Sequence, residues 1–181
     1  MNKKIFIIVL FIINFFYYTA VSADQTDQRL DTLFLNIKDS PNELVSSVHI
    51  ARIWKIWGET NEAYSQSLYN LGDKLLKQKQ YEQSLVVFSK LILDKPNFAE
   101  GWNKRATLYF LMGNFNKSIL DINKTLTLEP RHFGALDGLG QIQFKLNNFQ
   151  GSIEAYEELL QIIPHSSNAK KMLKLMNAQF I

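Results

Sequence analysis

The chain has no cysteine among its 181 residues. This excludes a disulfide scaffold, a thiol nucleophile, an iron–sulfur cluster, Cys-ligated zinc and a lipid-modified N-terminal cysteine. Proline and glycine are scarce, at four and eight. An all-β chain of this length needs a turn every ten residues or so and would carry more of both. Strong charge of one sign is also missing, since 20 Lys and Arg stand against 17 Asp and Glu. With 46% hydrophobic and 20% charged residues, wholesale disorder, collagen and a multi-span membrane protein are excluded. The composition leans helical, and the length suggests one domain, two at most.

Only one long apolar run is present, and it sits at the start. Met1-Asn2-Lys3-Lys4 leads into the stretch from Ile5 to Tyr18, interrupted by one strongly polar residue, Asn14, and Val21-Ser22-Ala23 follows. A basic start, an apolar core and a small-x-small site form the layout of a secretory signal peptide, here residues 1–23 with cleavage after Ala23. The alternative is an uncleaved anchor, giving a membrane-tethered accessory subunit. The run from Ile5 to Val21 falls short of the roughly 20 apolar residues that span a bilayer. Cleavage removes Lys3 and Lys4 and no acid, so basic and acidic side chains come within one of balance. A charge so near neutral offers no field for nucleic acid. An exported chain with neither disulfides nor a lipid-modified cysteine fits the bacterial periplasm, with no membrane contact after cleavage.

The body of the chain repeats itself. Pro96, Pro130 and Pro164 recur at one constant interval, and a fixed period of this size signals stacked units. Units 65–98, 99–132 and 133–166 then align. Position 4 holds Leu68, Trp102 and Leu136; position 8 holds Gly72, Ala106 and Gly140. Position 17 is Tyr81, Phe115 and Phe149, position 20 is Ser84, Ser118 and Ser152, and position 24 is Phe88, Ile122 and Tyr156. Apolar residues at positions 4, 7 and 11 and again at 17, 21 and 24 mark one face each of two helices. Between them Gly113 and Asn147 share a position that suits a left-handed helix end. Such a hairpin cannot bury its own apolar face, so neighbours must stack.

The period, the small position 8, the aromatic position 17 and the closing proline resemble the tetratricopeptide repeat (TPR). The run from Trp102 to Tyr109, followed by Gly113-Asn114-Phe115, carries the likeness most fully. Departures are Leu91, Thr125 and Leu159 at position 27, where the family favours alanine, and Arg105 at position 7. The resemblance implies an all-α, TPR-like solenoid of stacked antiparallel helix hairpins. It further implies a protein-interaction scaffold or adaptor whose first helices line a concave groove through positions 2, 5, 6, 9 and 12. Tyr69, Asn103, Lys104, Phe110 and Gln141 are the candidate partner-binding residues on those positions, suited to an extended peptide or a partner helix. Some family members grip a terminal carboxylate with cations and amides. The corresponding places here are Tyr69, Asp73, Lys104, Gly134 and Gly138, which do not form such a clamp.

The flanks read as caps. Residues 167–181 continue as a helix with Ala169, Met172, Leu173 and Met176 on one stripe. Lys170, Lys174 and Asn177 hold the positions that would pack on a further helix, so the stack is expected to stop there. In the N-terminal part, residues 24–64, Leu30, Leu33, Phe34 and Ile37 mark one helix, and Ser40-Pro41-Asn42-Glu43 reads as a capping box starting a second that runs to about Gly58. This pair is a degenerate repeat or a cap. Trp54 and Trp57 either seal the N-terminal edge of the stack or form a partner surface.

Reactive constellations are wanting. His49, His132 and His165 form neither HxxxH nor HExxH, and the last two fall in turns between repeats. Residues 134–140 are glycine-rich, yet they lack both GxGxxG and a following GK[ST]. No catalytic residue, metal site or cofactor is expected, and the chain is read as a non-enzyme that binds a protein or peptide, with a regulatory domain of an enzyme as the alternative from another class.

Overall fold

The computed structural model describes residues 24–180, and among these the chain forms helices and no strand. The expected targeting segment, residues 1–23, lies outside the described residues. The three units are the hairpins α3 (Ala63–Lys77) with α4 (Tyr81–Asp94), α5 (Ala99–Leu111) with α6 (Phe115–Leu128), and α7 (Phe133–Lys145) with α8 (Phe149–Ile162). They stack in order, and α9 (Ser167–Phe180) packs on α8. The N-terminal pair is α1 (Arg29–Lys38) and α2 (Glu43–Trp57).

Each unit closes by the same contact. A ring or branched chain at position 24 lies on the small residue at position 8. A Cβ on Gly72 would stand 2.8 Å from the Phe88 ring, and one on Gly140 would stand 2.8 Å from Tyr156. The serine at position 20 completes the seal. Ser84, Ser118 and Ser152 are fully buried, and each hydroxyl donates to the carbonyl of position 8, at 2.8, 2.7 and 2.8 Å. That carbonyl already serves its own helix, so the hydroxyl joins two helices at no cost in unpaired polar groups.

The turns follow from local chemistry. In every unit the first helix ends in a paired closure: Asn114 N–H donates to Tyr109 and Gly113 N–H to Phe110, with equivalent bonds at Gln80/Lys79 and Asn148/Asn147. This closure needs a left-handed residue. Gly113 takes it at φ 74°, Asn147 at 58° and, in the first unit, Lys79 at 60°. The second helices stop before Pro96, Pro130 and Pro164, where Lys95, Glu129 and Ile163 leave the helical region with ψ of 77°, 95° and 84°, because a following proline disfavours helical backbone.

The N-terminal pair departs from both sequence expectations. It is not a fourth unit in front of α3, nor do its tryptophans seal that edge. The pair lies along the side of the stack formed by the turns between repeats. Gln25 bonds to the backbone of Asn97 and Ala99, Arg131 donates to Asp31 at 2.7 Å, and Glu43 accepts from Ser167. Trp57 stacks on His132 with ring centroids 4.1 Å apart, and Trp54 meets Phe133 edge-on at 5.1 Å. The run Ile53-Trp54-Ile56-Trp57 is more apolar than one stripe because it faces two surfaces, α1 and the third unit. In front of α3, Tyr64 is accordingly 51% exposed, while its counterparts Phe98 and His132 are at 0%.

Two boundary details also differ. The cap of α2 is Asn42, whose side chain accepts from Val45 N–H at 3.0 Å. Ser40 instead donates back to Asn36 O at 2.6 Å, closing α1. At the other end, Ala169 and Met176 are buried against α8 while Lys170, Lys174 and Asn177 face water.

Trp57 is 1% exposed and joins the hairpin to the third unit. Trp57→Ala should cost about 3–5 kcal/mol, the usual range for a buried aromatic. A lowered denaturant midpoint with retained helical circular dichroism is the expected result; an unchanged midpoint would contradict this placement.

Candidate functional site

The first helices α3, α5 and α7 line a concave face, and the N-terminal segment covers one edge of it. Row 2, where the face begins, is fully used by the chain itself. Gln66 donates to Gly58 O and accepts from Thr60 N–H. Gly134 lies under Trp54, so closely that a Cβ there would come 2.4 Å from the indole. Glu100, between them, is 1% exposed.

Glu100 sits at the centre of a buried polar cluster. His132 Nδ1 accepts the backbone N–H of Ala135, capping α7, which leaves the ring proton on Nε2 to donate to Glu100 Oε2 at 3.0 Å. Asn103 donates to the same oxygen at 2.8 Å, and Lys104 reaches Oε1 at 3.5 Å and Asp73 at 3.2 Å. Burial pushes the Glu100 carboxyl upward, but the His132 hydrogen bond, the Lys104 charge and Asn103 outweigh it and hold the group below the ordinary glutamate range. Lys104 is raised: burial opposes its charge, and Glu100 and Asp73 more than restore it. Burial, with help from Glu100 and Asp73, pushes the Tyr69 hydroxyl far up.

The five residues expected to contact a partner therefore divide. Tyr69, Asn103 and Lys104 are turned into this cluster. Tyr69 also packs edge-on to Phe88 and Phe98. Phe110 and Gln141 line an open hollow of about 250 Å³ between α5 and α7, and Asn103 lines it as well. Gly138 brings no side chain into the space, where a Cβ would meet only Ile122 at 3.5 Å, and Ala106 and Ile122 form the floor. Asp137 stands at its rim, accepting from Gln141 at 2.8 Å and from Asn168 at 2.7 Å. Burial raises the Asp137 carboxyl, and those two amides only partly offset the effect. No three His, Asp or Glu side chains among the described residues are grouped to hold a metal ion.

The Glu100–His132 pair is the feature that sequence reasoning missed. Its partners stand at the two ends of one unit, positions 2 and 34. Only the stacked geometry brings them together.

Stacked helix hairpins around a groove of this kind define an α-solenoid of the protein-interaction class. The tetratricopeptide repeat profile matches residues 99–132 and 134–166; the unit at 65–98 forms the same hairpin outside the matched span. A TPR repeat-containing protein of Rhizobium etli is 36% identical over 149 residues, covering 82% of this chain and 73% of that protein. The chain belongs to the tetratricopeptide repeat family. Hsp70-Hsp90 organizing protein 1 of Glycine max is 26% identical over 102 residues, 56% of this chain and 17% of its own length. Among solved structures, the first TPR of Spaghetti bound to an HSP90 peptide has a TM-score of 0.61 at 23% identity, covering 63% of this chain and 90% of that one. The Yersinia enterocolitica secretion chaperone SycD, in complex with a peptide of the translocator YopD, has a TM-score of 0.62 at 11% identity, covering 66% and 96%.

A carboxylate held below its ordinary value stabilises the fold at neutral pH and loses that contribution as pH falls through the folded-state value. Glu100→Gln should lower stability by about 1–3 kcal/mol near neutrality, the cost of disturbing a buried charged hydrogen bond. The gap between wild type and variant should narrow as pH drops below about 4.3, the reference glutamate value. Urea midpoints across that range check it; a gap independent of pH would contradict the ionised Glu100.

Proposed function

We propose that the protein is an exported, non-catalytic interaction scaffold of the bacterial envelope that binds a peptide or partner helix in the hollow between α5 and α7. The observation that carries this reading is the hollow itself. It is open in the chain without any partner, floored by apolar side chains, and left unfilled by Gly138. A binding surface already in place spares a partner the entropy of ordering it. Two proteins of this fold are seen with peptides, one from HSP90 and one from a translocator. An acidic chain terminus is a poor occupant here, because Lys104 is already engaged by Asp73 and Glu100.

Export rests on the layout of residues 1–23. No helix among the described residues is long and apolar enough to cross a membrane. N-terminal sequencing of the protein recovered from cells should give a chain beginning at Asp24. A chain retaining residues 1–23 would overturn cleavage and leave the tethered subunit.

Gly138 offers a direct test of the hollow. A Cβ there meets only Ile122 Cδ1, at an ordinary 3.5 Å, and replacing a mid-helix glycine gains roughly 0.5–1 kcal/mol of helix propensity. Gly138→Leu should therefore keep or raise the melting temperature while filling the groove. Selection from a phage-displayed dodecapeptide library should enrich binders on the wild type and none on the variant. Equal enrichment on both would place binding elsewhere.

A further inference from the structure

The lining of the hollow is selective in what it leaves unpaired. Thr107 donates its hydroxyl to Asn103 O, Ser118 to Ala106 O, Asn103 its amide to Glu100, and Gln141 its amide to Asp137. Those hydroxyl and amide donors are thus used within the chain, and the floor presents Ala106 and Ile122 beside the Phe110 ring. At about 250 Å³, the space is smaller than the ~300–1,000 Å³ typical of a site enclosing a whole small molecule. It is sized for one bulky side chain.

The charges around it are unequal. Asp73 is paired with Lys77 and Lys104, and Glu100 with Lys104 and His132. Asp137 alone among these groove carboxylates is held by neutral amides, with no cation of the described residues in salt-bridge reach. A half-buried carboxylate with only neutral partners is the natural counterpart of an incoming cation, because an opposite charge nearby favours its ionised form. Lys145 does not line the hollow; its ammonium lies over the Phe110 ring, 5.8 Å from the centroid.

We propose that the hollow receives a branched aliphatic or aromatic side chain from a partner segment whose neighbouring lysine or arginine pairs with Asp137. This rests on the groove reading above and narrows it to a basic, apolar-anchored segment, in contrast to an acidic tail.

Nine-residue Ala/Ser/Gly peptides, acetylated and amidated so that their termini carry no charge, test it. Each carries one leucine flanked by lysines, by glutamates or by serines, and a further control has alanine between lysines. Fluorescence anisotropy should show the lysine-flanked leucine peptide binding at least about fivefold more tightly than the glutamate and serine forms, an ion pair's contribution in a partly screened site. The alanine control should not bind. Asp137→Asn should bring the lysine and serine forms to the same Kd, and Asp137→Glu should keep them apart. Raising ionic strength should shrink the lysine preference.

A glutamate form that binds as well as the lysine form, or a lysine preference that survives Asp137→Asn, overturns the proposal. If leucine peptides bind without charge preference and Gly138→Leu abolishes all of it, the groove stands and the cation pairing falls. If no peptide binds, or Gly138→Leu binds like wild type, the groove reading falls and this inference with it.

Discussion

A serine hydroxyl buried against the carbonyl of a small residue twelve positions earlier is the contact on which this fold turns. It needs two helices close enough for a 2.8 Å bond, and only glycine or alanine at position 8 allows that approach beneath a ring or branched chain. Once the helices are that close, the position-24 side chain is buried completely, as Phe88 and Tyr156 are. The hairpin then has one apolar flank left, and stacking on the next unit is what removes it from water. The other regular features of the stack, from the left-handed turn at Gly113 to the non-helical residue before each proline, return the chain to this contact at a fixed interval.

This is why the stack was legible from the amino acids alone. Position 8, position 20 and the proline repeat with a period no single substitution hides, and each has a local physical meaning. The placement of α1 and α2 was not legible. Their apolar stripe says that they pack, but the choice between the front of α3 and the edge of the third unit depends on partners far along the chain, His132 and Phe133. The dense run Ile53-Trp54-Ile56-Trp57 held the clue, since a helix with one neighbour needs one stripe. The candidate contact residues were legible by row and not by role. Rows 2, 5 and 6 lie on the concave face, yet Tyr69, Asn103 and Lys104 turn toward a buried carboxylate that the repeat pattern alone does not mark as buried.

Glu100 gives the second unit a polar centre of an uncommon kind. A buried carboxylate is tolerated only with a full set of partners, and here three elements supply them: α3 through the Tyr69 hydroxyl, α5 through Asn103 and Lys104, and the turn before α7 through His132, whose imidazole is itself stacked on the Trp57 indole of α2. Residues that a family comparison assigns to a partner surface are thereby recruited to hold units in register. The part of the concave face left outside this cluster is the hollow, lined among others by Gly138 and Asp137.

The strip of chain from Asp24 to Thr60 runs across the turns of all three units, from the Lys95–Asn97 turn to Ser167. A pile of hairpins joined only to its neighbours behaves as a spring, fraying from its ends and changing its curl under load. A bowstring tied along the arc alters that mechanics. The first and last units are no longer independent ends, so unfolding should involve the whole arc together, and the curvature that shapes the cavity is held before anything enters it. Such a molecule exchanges the adaptability of longer solenoids for a fixed bore.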